Sequence, residues 1–167
     1  MTSPAPLPAW VAFGGNLGDV RATVAAALAA LDAHPGIRVL GRSRFYRTPA
    51  WGVTDQPDFI NGVVALDTTL SPRELLDVLL ATELAFGRDR GDDAPRWGPR
   101  TLDLDLLAYA DRVLDEPGLC LPHPRLHERA FVLVPLAEIA PALTVPGRGP
   151  VAGLLAAVDA AGIEAIP

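Results

Sequence analysis

Hydrophobic and polar positions change period several times along the chain, and each change marks an element. Thr101, Asp103 and Asp105 alternate with Leu102, Leu104 and Leu106. Period two is the pattern of a half-buried strand, here running to Tyr109, with one apolar face and one face carrying two carboxylates. Near the start, Trp10-Val11-Ala12-Phe13 is a short apolar run that predicts a first strand. The turn Gly14-Gly15-Asn16-Leu17-Gly18 follows, then Asp19, a suitable N-cap. Val24, Leu28 and Leu31 recur at helical spacing, and Pro35-Gly36 stops that helix. Residues 37–46 and 59–69 read as the second and third strands. Ser71-Pro72-Arg73-Glu74 combines an N-cap, proline at the first helical position and a glutamate three residues on. A second helix therefore starts there, with Leu75, Leu76, Leu79 and Leu80 as its apolar face and its end near Gly87. Ala110-Asp111-Arg112 reads as a turn that continues the aspartate strand into a hairpin through Val113 and Leu114. Phe131 to Ile139 and 151–161 read as further helices.

The order strand, helix, strand, strand, helix, strand, with extra helices, predicts an α+β fold. The specific expectation is a ferredoxin-like two-layer sandwich, an antiparallel sheet with helices packed on one face. A length of 167 residues points to one domain, 1–167, with residues 1–8 as a loose proline-marked lead-in. Half the chain is apolar, enough for a sizeable core. No apolar run approaches about 18 residues, so no membrane span is expected. The net charge of -6 argues against a nucleic-acid or anionic-membrane partner. The one cysteine, Cys120, allows neither an intrachain disulfide nor a cysteine zinc site. With no basic, apolar start, a cytoplasmic location is expected. All fourteen basic residues are arginine. A P-loop lysine and a Schiff-base lysine are thereby excluded.

The richest chemistry lies in Arg96-Trp97-Gly98-Pro99-Arg100-Thr101-Leu102-Asp103-Leu104-Asp105. Two carboxylates at i and i+2 lie roughly 6.5 Å apart on one face of a strand and can share hard cations. Arg96 and Arg100 flank Trp97, and arginine suits bidentate contact with phosphate. Cations, arginines and an aromatic plate suggest a nucleotide polyphosphate. By itself, Leu-Asp-Leu-Asp equally describes an edge strand with one wet face. Other features stay open in the same way. The glycine turn is either a tight connection or an anion site. Trp51, in a loop rich in turn formers, either covers a core edge or stacks on a flat ligand. Asn61, among apolar neighbours, is either a satisfied structural amide or one that reads a ligand. Residues 88–95 are either a solvated loop or one that closes over phosphates. His123 and His127 have Pro124 between them and no third ligand, so a zinc site is discounted, and His123 is assigned to a phosphate or a cap.

Several ordered motifs resemble one family, 6-hydroxymethyl-7,8-dihydropterin pyrophosphokinase of folate biosynthesis. They are Phe13-Gly14-Gly15-Asn16-Leu17-Gly18, Phe45-Tyr46-Arg47-Thr48-Pro49, Asp55-Gln56-Pro57-Asp58-Phe59-Ile60-Asn61, the Arg96 to Asp105 stretch, Pro122-His123-Pro124 and Arg129-Ala130-Phe131. The resemblance runs from about Val11 to Pro146. It implies transfer of the pyrophosphoryl group of ATP to the hydroxymethyl oxygen of the pterin, with release of AMP. It implies two Mg2+ ions on Asp103 and Asp105, and Arg88 and Arg100 as catalytic arginines that offset charge growing on the phosphates. ATP contacts would fall on Glu83, Arg88, Arg90, Trp97, Arg100, Leu106, Cys120, His123 and Arg129. Pterin contacts would fall on Thr48, Pro49, Trp51, Phe59, Asn61, Trp97 and Phe131, with Phe59 and Phe131 stacking on the ring and Trp97 in a sealing lid. The chain departs from some members in lacking a lysine between Arg88 and Arg96, and in placing the large Trp51 where a smaller apolar residue is common.

The charge balance fits a metal-dependent reaction. Residues 88–105 hold four arginines against five aspartates, so protein alone does not neutralise a triphosphate there. A metal-dependent nucleotidyltransferase is the alternative enzyme, and it would release pyrophosphate instead of AMP. A ligand-sensing or RNA-binding module is the non-enzymatic alternative. A monomer is expected.

Overall fold

The structure is a computed structural model and describes residues 5–48, 58–86 and 101–166. In chain order the elements are β1 (Leu7–Gly15), α1 (Val20–Asp32), β2 (Ile37–Arg42), β3 (Phe45–Thr48), β4 (Phe59–Thr68), α2 (Pro72–Ala85) and β5 (Asp103–Tyr109). Then come β6 (Leu114–Glu116), β7 (Leu119–Leu121), a 3-10 turn at Leu126–Glu128, α3 (Ala130–Ile139), β8 (Thr144–Val145), β9 (Gly149–Pro150), α4 (Val151–Ala156) and β10 (Glu164–Ile166). The main sheet has the order β10-β3-β4-β1-β5, with β2 also paired to β4. All these pairings are antiparallel.

Alternation along the strands builds two cores. Ala9, Val11 and Phe13 of β1, Val64 and Leu66 of β4, and Leu104 and Leu106 of β5 face one side. There they meet Val24, Ala27 and Leu31 of α1 and Leu75 and Leu79 of α2. Val63 and Leu107 face the other side and meet Val132, Leu133 and Leu136 of α3 and Val151 of α4. Helices thus cover both faces, where the order of elements had predicted one. Period two separates the two faces of a strand, but it does not say whether a later helix covers the second. The run Phe131-Val132-Leu133-Val134-Pro135-Leu136 is apolar on most sides, and such a helix must be buried against something.

The predicted caps are in place. The Asp19 carboxylate accepts the Ala22 N–H at 3.1 Å. Ser71 Oγ accepts the Glu74 N–H at 3.1 Å, and Glu74 Oε1 accepts the Ser71 N–H at 3.0 Å. Each such cap stabilises its helix by about 1 kcal/mol.

Four boundaries differ from the sequence reading. First, β1 begins at Leu7, which packs on the core, and the Pro8 carbonyl accepts the Ala110 N–H at 2.7 Å, so the lead-in is shorter than 1–8. Second, residues 37–46 are broken into β2 and β3. At the break the Ser43 N–H donates to the Val63 carbonyl at 2.8 Å, while the Ser43 hydroxyl accepts the Val63 N–H at 3.0 Å. A side chain thereby stands in for a missing main-chain partner. Third, β6 pairs with β7, so the hairpin forms one element later than expected and does not extend β5. Fourth, α4 ends at Ala156, short of 161, and β10 adds an unanticipated strand on β3. Among the described residues, no helix is long and apolar enough to cross a membrane.

Candidate active site

Register brings the chemistry-bearing residues of four strands into one row. Gly14 of β1 lies opposite Asn61 of β4 on one side and Asp103 of β5 on the other. Tyr46 of β3 lies opposite Asn61. Residues paired across antiparallel strands share a face, so Tyr46, Asn61, Gly14 and Asp103 lie side by side. Thr48 and Phe59 pair just beyond the row at one end of β3 and β4, and Asp105 pairs with Ala12 on the other side of it. Strand spacing places Asn61 and Asp103 about 10 Å apart across the glycine.

The glycine is required. A Cβ on Gly14 would lie 2.5 Å from Asn61 Oδ1 and 2.9 Å from the Ile60 carbonyl oxygen. Without it the floor between Asn61 and Asp103 stays low, and the amide keeps its place. Asn61 Nδ2 donates to Thr48 Oγ1 at 3.0 Å, which fixes which end of the amide faces Gly14. Thr48 is buried and Phe59 half-buried. Phe131 stands half-buried in the first turn of α3, the helix over this face, and the Arg129 guanidinium lies 5.7 Å from the centre of its ring. Asn61 and Phe59 thus share one face of β4, and Phe131 belongs to the helix that packs on that face. That set suits a flat heterocycle with donors and acceptors on its edge.

The other end is anionic. Asp103 is half-buried and Asp105 exposed, while Leu104 between them points into the α1–α2 core. Glu83, expected among ATP contacts, lies beneath this strand. It is 1% exposed, and its Oε2 accepts the Leu104 N–H at 2.7 Å. It therefore fixes the main chain between the two aspartates. Leu106 turns its side chain into the same core, on the face opposite the aspartates, which leaves its main chain as the part able to meet a ligand. Cys120 sits exposed in β7 between the buried Leu119 and Leu121, with its Sγ 3.5 Å from Asp115 Oδ1; the Asp115 carboxylate pushes its thiol pKa up.

His123 is tied to β5: its N–H donates to the Leu107 carbonyl at 2.8 Å. Its Nδ1 accepts the Arg125 N–H at 3.1 Å. Burial, then the charges of Arg129 and Arg125, lower its pKa to about 4. The ring is neutral near pH 7, and with Nδ1 used as acceptor its proton sits on Nε2. His127 is in the neighbouring 3-10 turn, with Nε2 3.6 Å from Glu128. Pro49, Trp51, Arg88, Arg90, Trp97 and Arg100 lie outside the described residues.

The site also includes groups the sequence reading did not single out. Gly14 belongs to a recognised motif, and its role follows from cross-strand register. A cluster of Arg44, Tyr46 and Glu138 joins β3 to α3. Its members are 92 and 94 residues apart in sequence, and nothing local connects them.

Taken together, the fold is a mixed α/β one, an antiparallel sheet with helices on both faces, and it sets an amide, a glycine and a carboxylate in a single row. The family model described as 7,8-dihydro-6-hydroxymethylpterin-pyrophosphokinase (HPPK) matches residues 10–141, and the chain belongs to that family. It is 51% identical over 158 residues to the 2-amino-4-hydroxy-6-hydroxymethyldihydropteridine pyrophosphokinase of Methylorubrum extorquens, covering 95% of this chain and 98% of that one. The enzyme of the same name from Pseudomonas aeruginosa is 48% identical over 158 residues, covering 95% and 96%. Among solved structures, wild-type Plasmodium falciparum HPPK-DHPS aligns with a TM-score of 0.69 at 13% identity, over 90% of this chain. This chain spans 41% of that longer one, and at that identity the likeness speaks for the fold alone.

Proposed function

We propose that the protein transfers the pyrophosphoryl group of ATP to the hydroxymethyl oxygen of 6-hydroxymethyl-7,8-dihydropterin, giving the pterin diphosphate and AMP, in tetrahydrofolate biosynthesis. The observation that carries this reading is the row Asn61, Gly14, Asp103, with the heterocycle-binding set at one end and the paired carboxylates at the other. Family membership supports it. The strand order and the alternation of helices and strands support a ferredoxin-like sandwich, to which α3 and α4 add a further layer. The protein acts as a single cytoplasmic domain and as a monomer.

The pterin lies between Phe59 and Phe131, its edge read by the Asn61 amide in the orientation set by Thr48. Pro49, Trp51 and Trp97 complete that pocket. The triphosphate lies toward β5. Asp103 and Asp105 fit Mg2+, because their donors are hard oxygens and Mg2+ is commonly held by one or two carboxylates together with substrate phosphates. When bound, two such ions neutralise the polyphosphate and make the attacking hydroxyl more acidic. Glu83 keeps the strand between the two aspartates in place. His123 presents Nε2–H to a phosphate oxygen as a neutral donor, and Arg129 adds a fixed positive charge beside it. Arg88 and Arg100 offset charge that grows on the transferring group and on departing AMP, and Arg90 contacts ATP. Trp97 is assigned to a lid that keeps out water, the competing acceptor.

A separation of nucleotide products tests this reading. Protein, Mg2+, ATP and the pterin should yield AMP and pterin diphosphate in equal amounts. Release of pyrophosphate with a nucleotidylated pterin would assign the same aspartates to attack at the α-phosphorus. Release of ADP would assign transfer of one phosphoryl group, and either result overturns the proposal.

A further inference from the structure

The cluster of Arg44, Tyr46 and Glu138 takes no part in the reaction described above, yet it touches both the sheet and the helix that frame the pterin site. The Tyr46 hydroxyl donates to Glu138 Oε1. The Arg44 N–H donates to Glu138 Oε2 at 2.8 Å, and Arg44 Nε donates to Oε1 at 3.1 Å. Arg44 also donates to the Tyr46 oxygen at 3.3 Å, with its guanidinium 5.6 Å from the centre of the Tyr46 ring. Partial burial works against charge on Glu138, but the hydrogen bonds from Tyr46 and Arg44 outweigh it and hold the carboxyl below its usual range. Burial, then Glu138, push the Tyr46 phenol up, so it stays protonated and donates.

Two placements give the cluster a role. Tyr46 is the register partner of Asn61, so the sheet side of the cluster adjoins the amide proposed to read the pterin. Glu138 is seven residues beyond Phe131 in α3, two helical turns along, which puts both on one stripe of the helix about 10 Å apart. α3 also depends on its docking. Pro135 lies inside it and supplies no N–H to the Phe131 carbonyl, so the first turn lacks one bond of its own ladder. A flat ring must keep contact of roughly 3.5–4 Å with Phe131 while its edge stays within about 3 Å of Asn61. Both conditions hold at once only when α3 sits at one height over the row.

We infer that Arg44, Tyr46 and Glu138 are positioning residues: they clamp α3 to β3 and thereby set the Phe131–Asn61 gap that admits the pterin ring. The inference rests on the pterin site proposed above. The ATP side has a mooring of its own outside α3, since the His123 N–H is tied to Leu107 of β5. Loosening the clamp therefore acts on one substrate.

The test compares Michaelis constants for both substrates in wild type, Glu138→Ala, Glu138→Gln and Tyr46→Phe. Glu138→Ala should raise the pterin KM about tenfold and Tyr46→Phe about threefold, with the ATP KM moving less than about twofold. Glu138→Gln should recover part of the loss, because its amide oxygen still accepts from Tyr46 and Arg44 Nε, while its NH2 faces the Arg44 main-chain N–H and loses that bond. Tyr46→Phe keeps the ring in the sheet and decides the matter if Glu138→Ala does not fold. Two results overturn the clamp in a protein that is otherwise active: equal rises in both Michaelis constants, or an unchanged pterin KM with a lowered Tm. A wild-type protein that forms no AMP with the pterin would instead overturn the site itself.

Discussion

The two ends of the row are held in different ways. At the Asn61 end, side chains hold side chains. Thr48 orients the amide, and Tyr46, Arg44 and Glu138 tie the overlying helix to the sheet. At the Asp103 end, the described hold is on the main chain. Glu83 accepts the Leu104 N–H from beneath the strand and leaves the aspartate side chains on the opposite face. The difference matches the ligands proposed. A flat, neutral ring is recognised by fixed planes and a fixed donor pattern. A polyphosphate with metal ions would be met by carboxylates carried on a fixed main chain.

The largest effect that separates the ends should come from Asp105→Ala. It should lower turnover by about a thousandfold or more, since an effect of several kcal/mol is lost. Asp105 is exposed, so Tm should stay near that of wild type. Wild-type turnover at saturating Mg2+ would remove the metal from this strand. Next is Glu83→Ala. It leaves the Leu104 N–H without this acceptor beneath the strand, so the Mg2+ concentration for half-maximal rate should rise about tenfold or more, and stability should fall by about 1–3 kcal/mol. A metal dependence unchanged from wild type would make Glu83 a purely structural carboxylate.

Gly14→Val acts between the ends. Its Cβ meets Asn61 and the Ile60 carbonyl, so the amide must shift. The pterin KM should rise about tenfold, as expected when a hydrogen bond worth about 1.4 kcal/mol is lost. Steady-state kinetics with each substrate varied in turn would show whether ATP is spared.

The smallest effect concerns pH. Burial, then Arg129 and Arg125, hold the folded pKa of His123 near 4, below the ordinary 6.5. The unfolded chain therefore binds a proton that the folded one refuses as pH falls from about 6.5 toward about 4. The stability tied to the neutral ring is complete above that window and declines through it. In His123→Gln this part of the decline should disappear, leaving a flatter Tm-against-pH curve over the same range. Parallel curves for the two proteins would mean that the ring titrates normally.

Local chemistry was legible in the sequence where one stretch of chain contains the whole cause. The Ser71–Glu74 capping box, the Asp19 cap and the alternation through Asp103 and Asp105 are all of that kind. The rest depends on partners distant in the chain. Which face α3 covers follows from packing on Val63 and Leu107. The break between β2 and β3 follows from the Ser43 hydroxyl meeting Val63, and β10 is three residues whose pairing with β3 no period could foretell. Glu83 is expected among ATP contacts only through the family resemblance, and its hold on the Leu104 N–H appears only in the fold. The glycine motif was visible, but the reason for Gly14, the Asn61 oxygen beside it, comes from register.

The division of the row between two substrates is tested most directly by both Michaelis constants of Asn61→Ala. The pterin KM should rise at least about tenfold, with the ATP KM within about twofold of wild type. An unchanged pterin KM, or an ATP KM that rises in parallel, would contradict the placement of acceptor and donor at opposite ends of the row.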